Sequence, residues 1–303
     1  MSSYKEISVG ITVTAIEGNR QRLDGGAMYG NAPKALWTRW SDADSLNRIE
    51  LACRALLIEG PGYKVLCETG IGCFFEPKLA ERYGVQDPKD HILLENLKKH
   101  GVDEKDINYV ILSHLHFDHA GGLLPKYTEL KQGNDQLLFP NATYIMGVDA
   151  FERCSKPHPR DKASFIPLLT EKLIEAKAKG RCLFVSKDEH LDLFDGRLSF
   201  IYSDGHTPGQ MLALFKGDSQ SIFFCGDLVP GSAWLHTPIT MGYDRFPELL
   251  IDEKAQVYDR ALPENWLMFY THDPRVCAST CKKDEKGRIV AGETHLKLHK
   301  YEI

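Results

Sequence analysis

His114-Leu115-His116-Phe117-Asp118-His119 packs four potential metal ligands into six residues, directly after the apolar, strand-like run Tyr109-Val110-Ile111-Leu112-Ser113. Imidazole nitrogens and carboxylate oxygens are the usual non-sulfur ligands of zinc. His114 and His116 are two apart, so on an extended segment they point the same way. Asp118 and His119 are adjacent, and a straight extended chain cannot aim both at one ion. The chain must therefore turn, and Ala120-Gly121-Gly122 supplies residues suited to a tight turn and close backbone approach. The spacing assigns His114 and His116 to one ion and Asp118 and His119 to a second. Two clustered ions imply hydrolysis, because they generate a nucleophile from water at neutral pH.

One cluster cannot complete two coordination spheres, so further ligands must come from downstream. Three segments repeat the pattern of apolar strand, ligand and turn. Leu198-Ser199-Phe200-Ile201-Tyr202 leads to Asp204-Gly205-His206-Thr207-Pro208-Gly209. Ser221-Ile222-Phe223-Phe224-Cys225 leads to Gly226-Asp227, and Trp266-Leu267-Met268-Phe269-Tyr270 leads to Thr271-His272-Asp273-Pro274. Ligands at the ends of separate strands are what a rigid site needs.

His114-X-His116-X-Asp118-His119, the Gly205–Gly209 loop, Gly226-Asp227 and the late His272 resemble the metallo-β-lactamase superfamily, over roughly Ile49 to Asp273. Gly25-Gly26-Ala27-Met28, Asn47-Arg48-Ile49 and Gly226-Asp227-Leu228-Val229-Pro230 are similar to its lactonase and methyl parathion hydrolase branch. The resemblance implies an α/β (α+β) fold, a four-layer αββα sandwich, with a dinuclear metal site at one edge. It puts His114, His116 and His206 on the first ion and Asp118, His119 and His272 on the second, with Asp227 bridging. Zinc is the first expectation for both divalent ions, with manganese, iron or cobalt left open by ligand type. Two departures stand out. The family's strand-ending Asp-Thr-Gly reads Glu68-Thr69-Gly70, an acid expected to orient a ligand histidine. The tyrosine that the lactonase pattern places three residues after the bridging aspartate is Pro230.

The implied chemistry is attack by a bridging hydroxide, between ions about 3.5–4 Å apart, on an electrophilic carbon or phosphorus. Asp227 and Asp118 are the catalytic carboxylates, Asp118 also being placed to accept a proton or orient the nucleophile. The expected function is metal-dependent hydrolysis of a small ester-like molecule: lactone, ester, thioester or phosphotriester. A phosphodiesterase or nuclease on the same metal core is the alternative, and a non-catalytic binding protein a third. A net charge of -5 over 303 residues, with Lys and Arg scattered, argues against nucleic acid. A β-lactamase is disfavoured because a bridging aspartate is foreign to that branch.

With 43% hydrophobic residues, the chain can build a sizeable core, and residues 1–303 are expected to form one domain. No apolar leader opens the sequence and no run of 18 apolar residues occurs, so a cytoplasmic protein without a membrane partner is expected. The eight cysteines, several inside apolar strand patterns, read as free thiols. Nothing in the sequence sets the oligomeric state.

Alternation predicts strands over Ile7–Ile16, Leu51–Ile58, Lys64–Cys67 and Tyr109–Ser113. Helical spacing covers Lys89–His100, Phe165–Lys179 and Pro247–Leu262. Asp24–Trp40 and Pro230–Pro247 carry several aromatics with little periodicity, and are expected to shape an apolar pocket beside the ions, with Phe117. His236, nine residues after Asp227, is a candidate donor to substrate. His91, His100, His158, His190, His295 and His299 need no more than surface or helix positions.

Overall fold

The computed structural model describes residues 10–303 except Asp188 and His190. Part of the expected strand at Ile7–Ile16 therefore lies outside the described residues, and its remainder forms the strand Thr12–Glu17.

Two sheets dominate. The first has seven strands in the spatial order Tyr301–Glu302, Thr12–Glu17, Arg54–Gly60, Tyr63–Cys67, Tyr109–Leu112, Thr143–Gly147 and Cys182–Val185. The second has six, in the order Ile289–His295, Ala278–Lys283, Leu267–Phe269, Ser221–Phe224, Gln210–Lys216 and Leu198–Ser203. Their alternating side chains divide the interior into three cores. Ile111 and Ile145 meet Met211, Ile222, Phe224 and Phe269 between the sheets. The opposite side chains of the first sheet, Val110, Leu112 and Tyr144, pack on Leu93 and Leu97 of helix Ile92–Lys99 and on Leu169 and Leu173 of helix Pro167–Ala178. Those of the second sheet, Leu214, Phe223 and Met268, pack on Leu250, Val257 and Tyr258 of helix Pro247–Ala261. Helices outside and two sheets inside make the expected αββα sandwich. Among the described residues, no helix is long and apolar enough to cross a membrane.

Parallel pairing concentrates strand ends at one edge. Tyr63–Cys67 runs parallel to Tyr109–Leu112, and Ser221–Phe224 parallel to Leu267–Phe269. The residues just beyond these four strands, which include Glu68, His114, Asp227 and His272, therefore emerge together, as in other α/β sheets whose sites lie outside the carboxyl ends of strands.

The predicted Leu51–Ile58 strand is two. Arg54–Gly60 belongs to the first sheet, while Arg48–Leu51 pairs with Gln21–Asp24 in a separate two-stranded sheet. The Asp24–Trp40 segment contains two short helices, Gly25–Tyr29 and Lys34–Trp37. Tyr29 and Trp37 are buried, and Tyr29 and Trp40 also line a cavity that none of the seven predicted ligands lines. Tyr29 stacks between Trp234 at 4.4 Å and Trp37 at 5.7 Å, and all three are buried. The indole of Trp234 donates to the Met28 carbonyl, and Gly242 N to that of Ala27, tying this segment to the Pro230–Pro247 loop.

Candidate metal centre

The motif leaves the strand Tyr109–Leu112 extended through His116, then turns at once into the helical turn Phe117–Ala120. The turn thus begins before the glycines. Their task is close approach: a Cβ on Gly122 would sit 2.0 Å from the Thr69 carbonyl oxygen, and one on Gly121 2.5 Å from that of Ile71. Gly226, at φ +47°, lets the chain reverse between Phe224 and Asp227 with Leu212 and Ser113 hard against it.

All seven residues read from the sequence lie at this edge, and all are buried. Potential ligand atoms of His114, His116 and His206 lie within 4.8 Å of one another, as do those of Asp118, His119 and His272. Asp227 lies against both groups. Its Oδ2 is 3.2 Å from His206 Nε2 and 3.3 Å from His119 Nε2, and its Oδ1 is 3.3 Å from His272 Nε2.

Oxygen partners decide which histidine nitrogens are free. His119 Nδ1 donates to Glu68 Oε2 at 2.8 Å, His206 Nδ1 to Asp244 Oδ1 at 2.9 Å, and His272 Nδ1 to the Ala52 carbonyl at 2.7 Å. The Ser113 hydroxyl gives its proton to Glu68 Oε1, so it accepts from His114 Nδ1 at 2.9 Å. Each of these four rings then carries its lone pair on Nε2. In neutral rings the lone pairs of His272 and His119 face each other, Nε2 to Nε2 at 3.1 Å, while His206 Nε2 lies 3.2 Å from His116 Nδ1, whose tautomer no oxygen partner fixes. Two donors on a tetrahedral ion with bonds of about 2.0–2.1 Å stand about 3.3 Å apart. Among the described residues, His114 Nε2 and Asp227 Oδ1 are buried without a hydrogen-bond partner of good geometry. Buried polar atoms are normally satisfied, and a cation is what this donor set fits.

Electrostatics add that, without a cation, the acidic groups draw protons onto two of these rings. Burial, aided by neighbouring histidines, pushes His114 and His116 well below the usual imidazole range. At His119 burial is outweighed by Glu68 and Asp227, and at His272 by Asp227, so both are held well above it. Asp227 is held well below the carboxylate range by His119, His206 and His272, against its burial. The carboxylates demand positive charge that protons alone supply awkwardly among crowded rings.

Residues 48–125 match the family described as the metallo-beta-lactamase superfamily. Over this stretch the chain resembles that superfamily. Among curated relatives, the chain is 30% identical to the N-acyl homoserine lactonase AttM of Rhizobium radiobacter, over 42% of its own length and 43% of AttM. The chain thus spans less than half the length of the first curated relatives it matches. A probable metal-dependent hydrolase from Staphylococcus aureus shares the fold, with a TM-score of 0.80 at 24% identity over 94% of this chain and 98% of that one. So does AidC, a dizinc quorum-quenching lactonase solved with a product bound, with a TM-score of 0.71 at 20% identity over 93% and 95%.

Glu68 could itself join a cluster with His114 and His119. Both its oxygens are already engaged, one by His119 and one by Ser113, which in turn holds His114. Across the superfamily edge this acid therefore reaches a ring from each group. Sequence reasoning missed the contacts of Asp244, Ala52 and Gln21, the last donating to Asp118 Oδ2 at 2.7 Å. His236, a candidate donor to substrate, lines a cavity of ≈930 Å3 with Trp40, Arg275 and Arg288, and none of the seven residues lines it. His91, expected at a surface or helix position, is 1% exposed and bonds the Gly122 carbonyl at 3.1 Å.

Proposed function

We propose that this chain is a dinuclear metal-dependent hydrolase of small, neutral, ester-like molecules, a lactone first among them. The observation that carries this reading is the position of Asp227, in contact with histidines of both triads. His114, His116 and His206 would hold one divalent ion, and Asp118, His119 and His272 the other, with Asp227 shared and zinc the expected metal. When bound, such a pair lowers the pKa of water and polarises a substrate oxygen. The chain's own residues do the positioning. Glu68, Asp244 and the Ala52 carbonyl keep protons on the outward ring nitrogens, so the inward lone pairs stay available. Asp118 is the acid best placed to hold a proton taken from the nucleophile.

Buried aromatic side chains adjoin the ligands and support an apolar substrate. Phe165 meets the His116 ring edge-on at 5.0 Å, and Phe117 packs on Tyr83 at 4.5 Å and Phe75 at 5.8 Å. An aromatic wall suits an acyl or aryl group more than a phosphodiester backbone. AttM is named for its action on N-acyl homoserine lactones, which supports lactones as the first class to test. We read residues 1–303 as one domain, working in a reducing, cytoplasm-like compartment. The eight cysteines are all free thiols, six of them buried.

Elemental analysis of the purified protein, paired with a panel of lactones, esters, thioesters, phosphotriesters and phosphodiesters, tests the proposal. Two divalent ions per chain and turnover of a neutral ester-like bond are expected. Cleavage confined to phosphodiesters would replace the substrate assignment. A metal-loaded protein inert to the whole panel would overturn the enzymatic one.

A further inference from the structure

Gln21 begins the strand Gln21–Asp24, outside both main sheets and outside the matched segment 48–125. Its side chain is fully buried. Its amide nitrogen donates to Asp118 Oδ2 at 2.7 Å, while its amide oxygen has no partner among the described residues. The orientation is forced, since the opposite flip would set an amide oxygen against a carboxylate. A buried amide left half satisfied is unfavourable for the fold. A methionine or leucine would fill the same space without that cost, so the fold alone does not explain the glutamine.

The strand's partner points the same way. Gln21 stands opposite Leu51 in the register. The next residue, Ala52, accepts from His272 Nδ1 through its carbonyl and donates its N–H to the His272 carbonyl. The small sheet thus grips two of the three residues of one triad, Asp118 through Gln21 and His272 through Ala52. The other triad is held from elsewhere, His114 by Ser113 and His206 by Asp244.

We infer that the two-stranded sheet Gln21–Asp24/Arg48–Leu51 is a brace for the second ion's subsite, and that Gln21 is a positioning residue acting through Asp118. The amide holds Oδ2, which also lies 3.6 Å from His272 Nε2, and with Oδ1 at 3.8 Å from His119 Nε2 it fixes the carboxylate rotamer between the two histidines. This inference rests on the two-ion reading above. It assigns stability and metal binding opposite signs at one residue.

The test is titration of metal-free wild type, Gln21→Met and the isosteric Gln21→Glu with cobalt(II), followed by visible absorption and elemental analysis, beside thermal melts of the metal-free proteins. Wild type should take up two ions in resolvable steps. Gln21→Met should melt no lower than wild type, keep the first step within about twofold, and weaken the second at least tenfold with altered absorption bands. Gln21→Glu, whose shape guards against misfolding, should weaken the second step too, because an ionised carboxylate cannot donate to Asp118. Equal weakening of both steps, or a second step within twofold of wild type in either variant, would overturn the inference. A wild type that holds one ion only would instead sink the two-ion reading on which it stands.

Discussion

At the scale of single residues, the site is a problem of proton placement. Five imidazoles crowd a buried space with two aspartates, and each outward nitrogen with an oxygen partner determines where its inward lone pair points. Asp227→Ala removes the one group that touches both triads. Metal content should fall below two ions per chain and hydrolysis should be lost with it; a variant holding two ions at full rate would contradict the bridging role. Glu68→Gln should be milder but double-edged, because that carboxylate orients His119 directly and His114 through Ser113. Metal affinity should drop about 10–100-fold, measured by competition with a chromophoric chelator. The motif around His114 is legible in sequence because four ligand types in six residues have few other uses. Gln21 is not, because a polar residue on a short strand reads like any solvent-facing position until burial is known.

At the scale of elements, the loops are held by buried polar groups that do not themselves face the site. Lys254, fully buried on helix Pro247–Ala261, donates to the carbonyls of His236, Thr237 and Ile239 and so ties down the loop that carries Asp244. His91, at the start of helix Ile92–Lys99, reaches the Gly122 carbonyl behind the metal motif. Burial pushes its imidazole down to about 4. A base depressed in the folded state favours the neutral form there, so the unfolded chain binds the proton first as pH falls. The stability from neutral His91 is intact above the ordinary histidine value near 6.5 and declines as pH drops toward 4, by about 2 kcal/mol at pH 5. His91→Gln should flatten that part of the profile, read by urea unfolding at pH 7 and pH 5; parallel profiles would disprove it. Strand and helix positions follow closely from apolar periodicity, but the break between Leu51 and Arg54 does not. Leu51-Ala52-Cys53 is apolar throughout and all three residues are buried, so only tertiary packing reveals that the chain changes sheets there.

At the scale of the whole molecule, the groups around the edge come from both sheets: His114, His116, Asp118 and His119 follow a strand of the first, and His206, Asp227 and His272 follow strands of the second. An ion bound among them ties two layers together and is bound by the native state alone. Zinc should therefore raise the melting temperature with the logarithm of its concentration above Kd, by the equivalent of about 2.7 kcal/mol at a hundredfold excess over Kd. A chelator should reverse the shift and abolish hydrolysis, and zinc should restore both; an unchanged melt with added zinc would show that the two sheets share no ion. The amino-acid sequence by itself determined the fold class and the types of side chain gathered for chemistry, since apolar alternation and dense ligand motifs are local signals. Only the tertiary structure decided which loop aromatics are core, that His236 lies apart from the cluster, and that Gln21 and Asp244 hold the ligating groups. Those facts depend on contacts between residues up to 206 positions apart, such as Trp234 with Met28, and no local pattern encodes which distant surface a side chain meets.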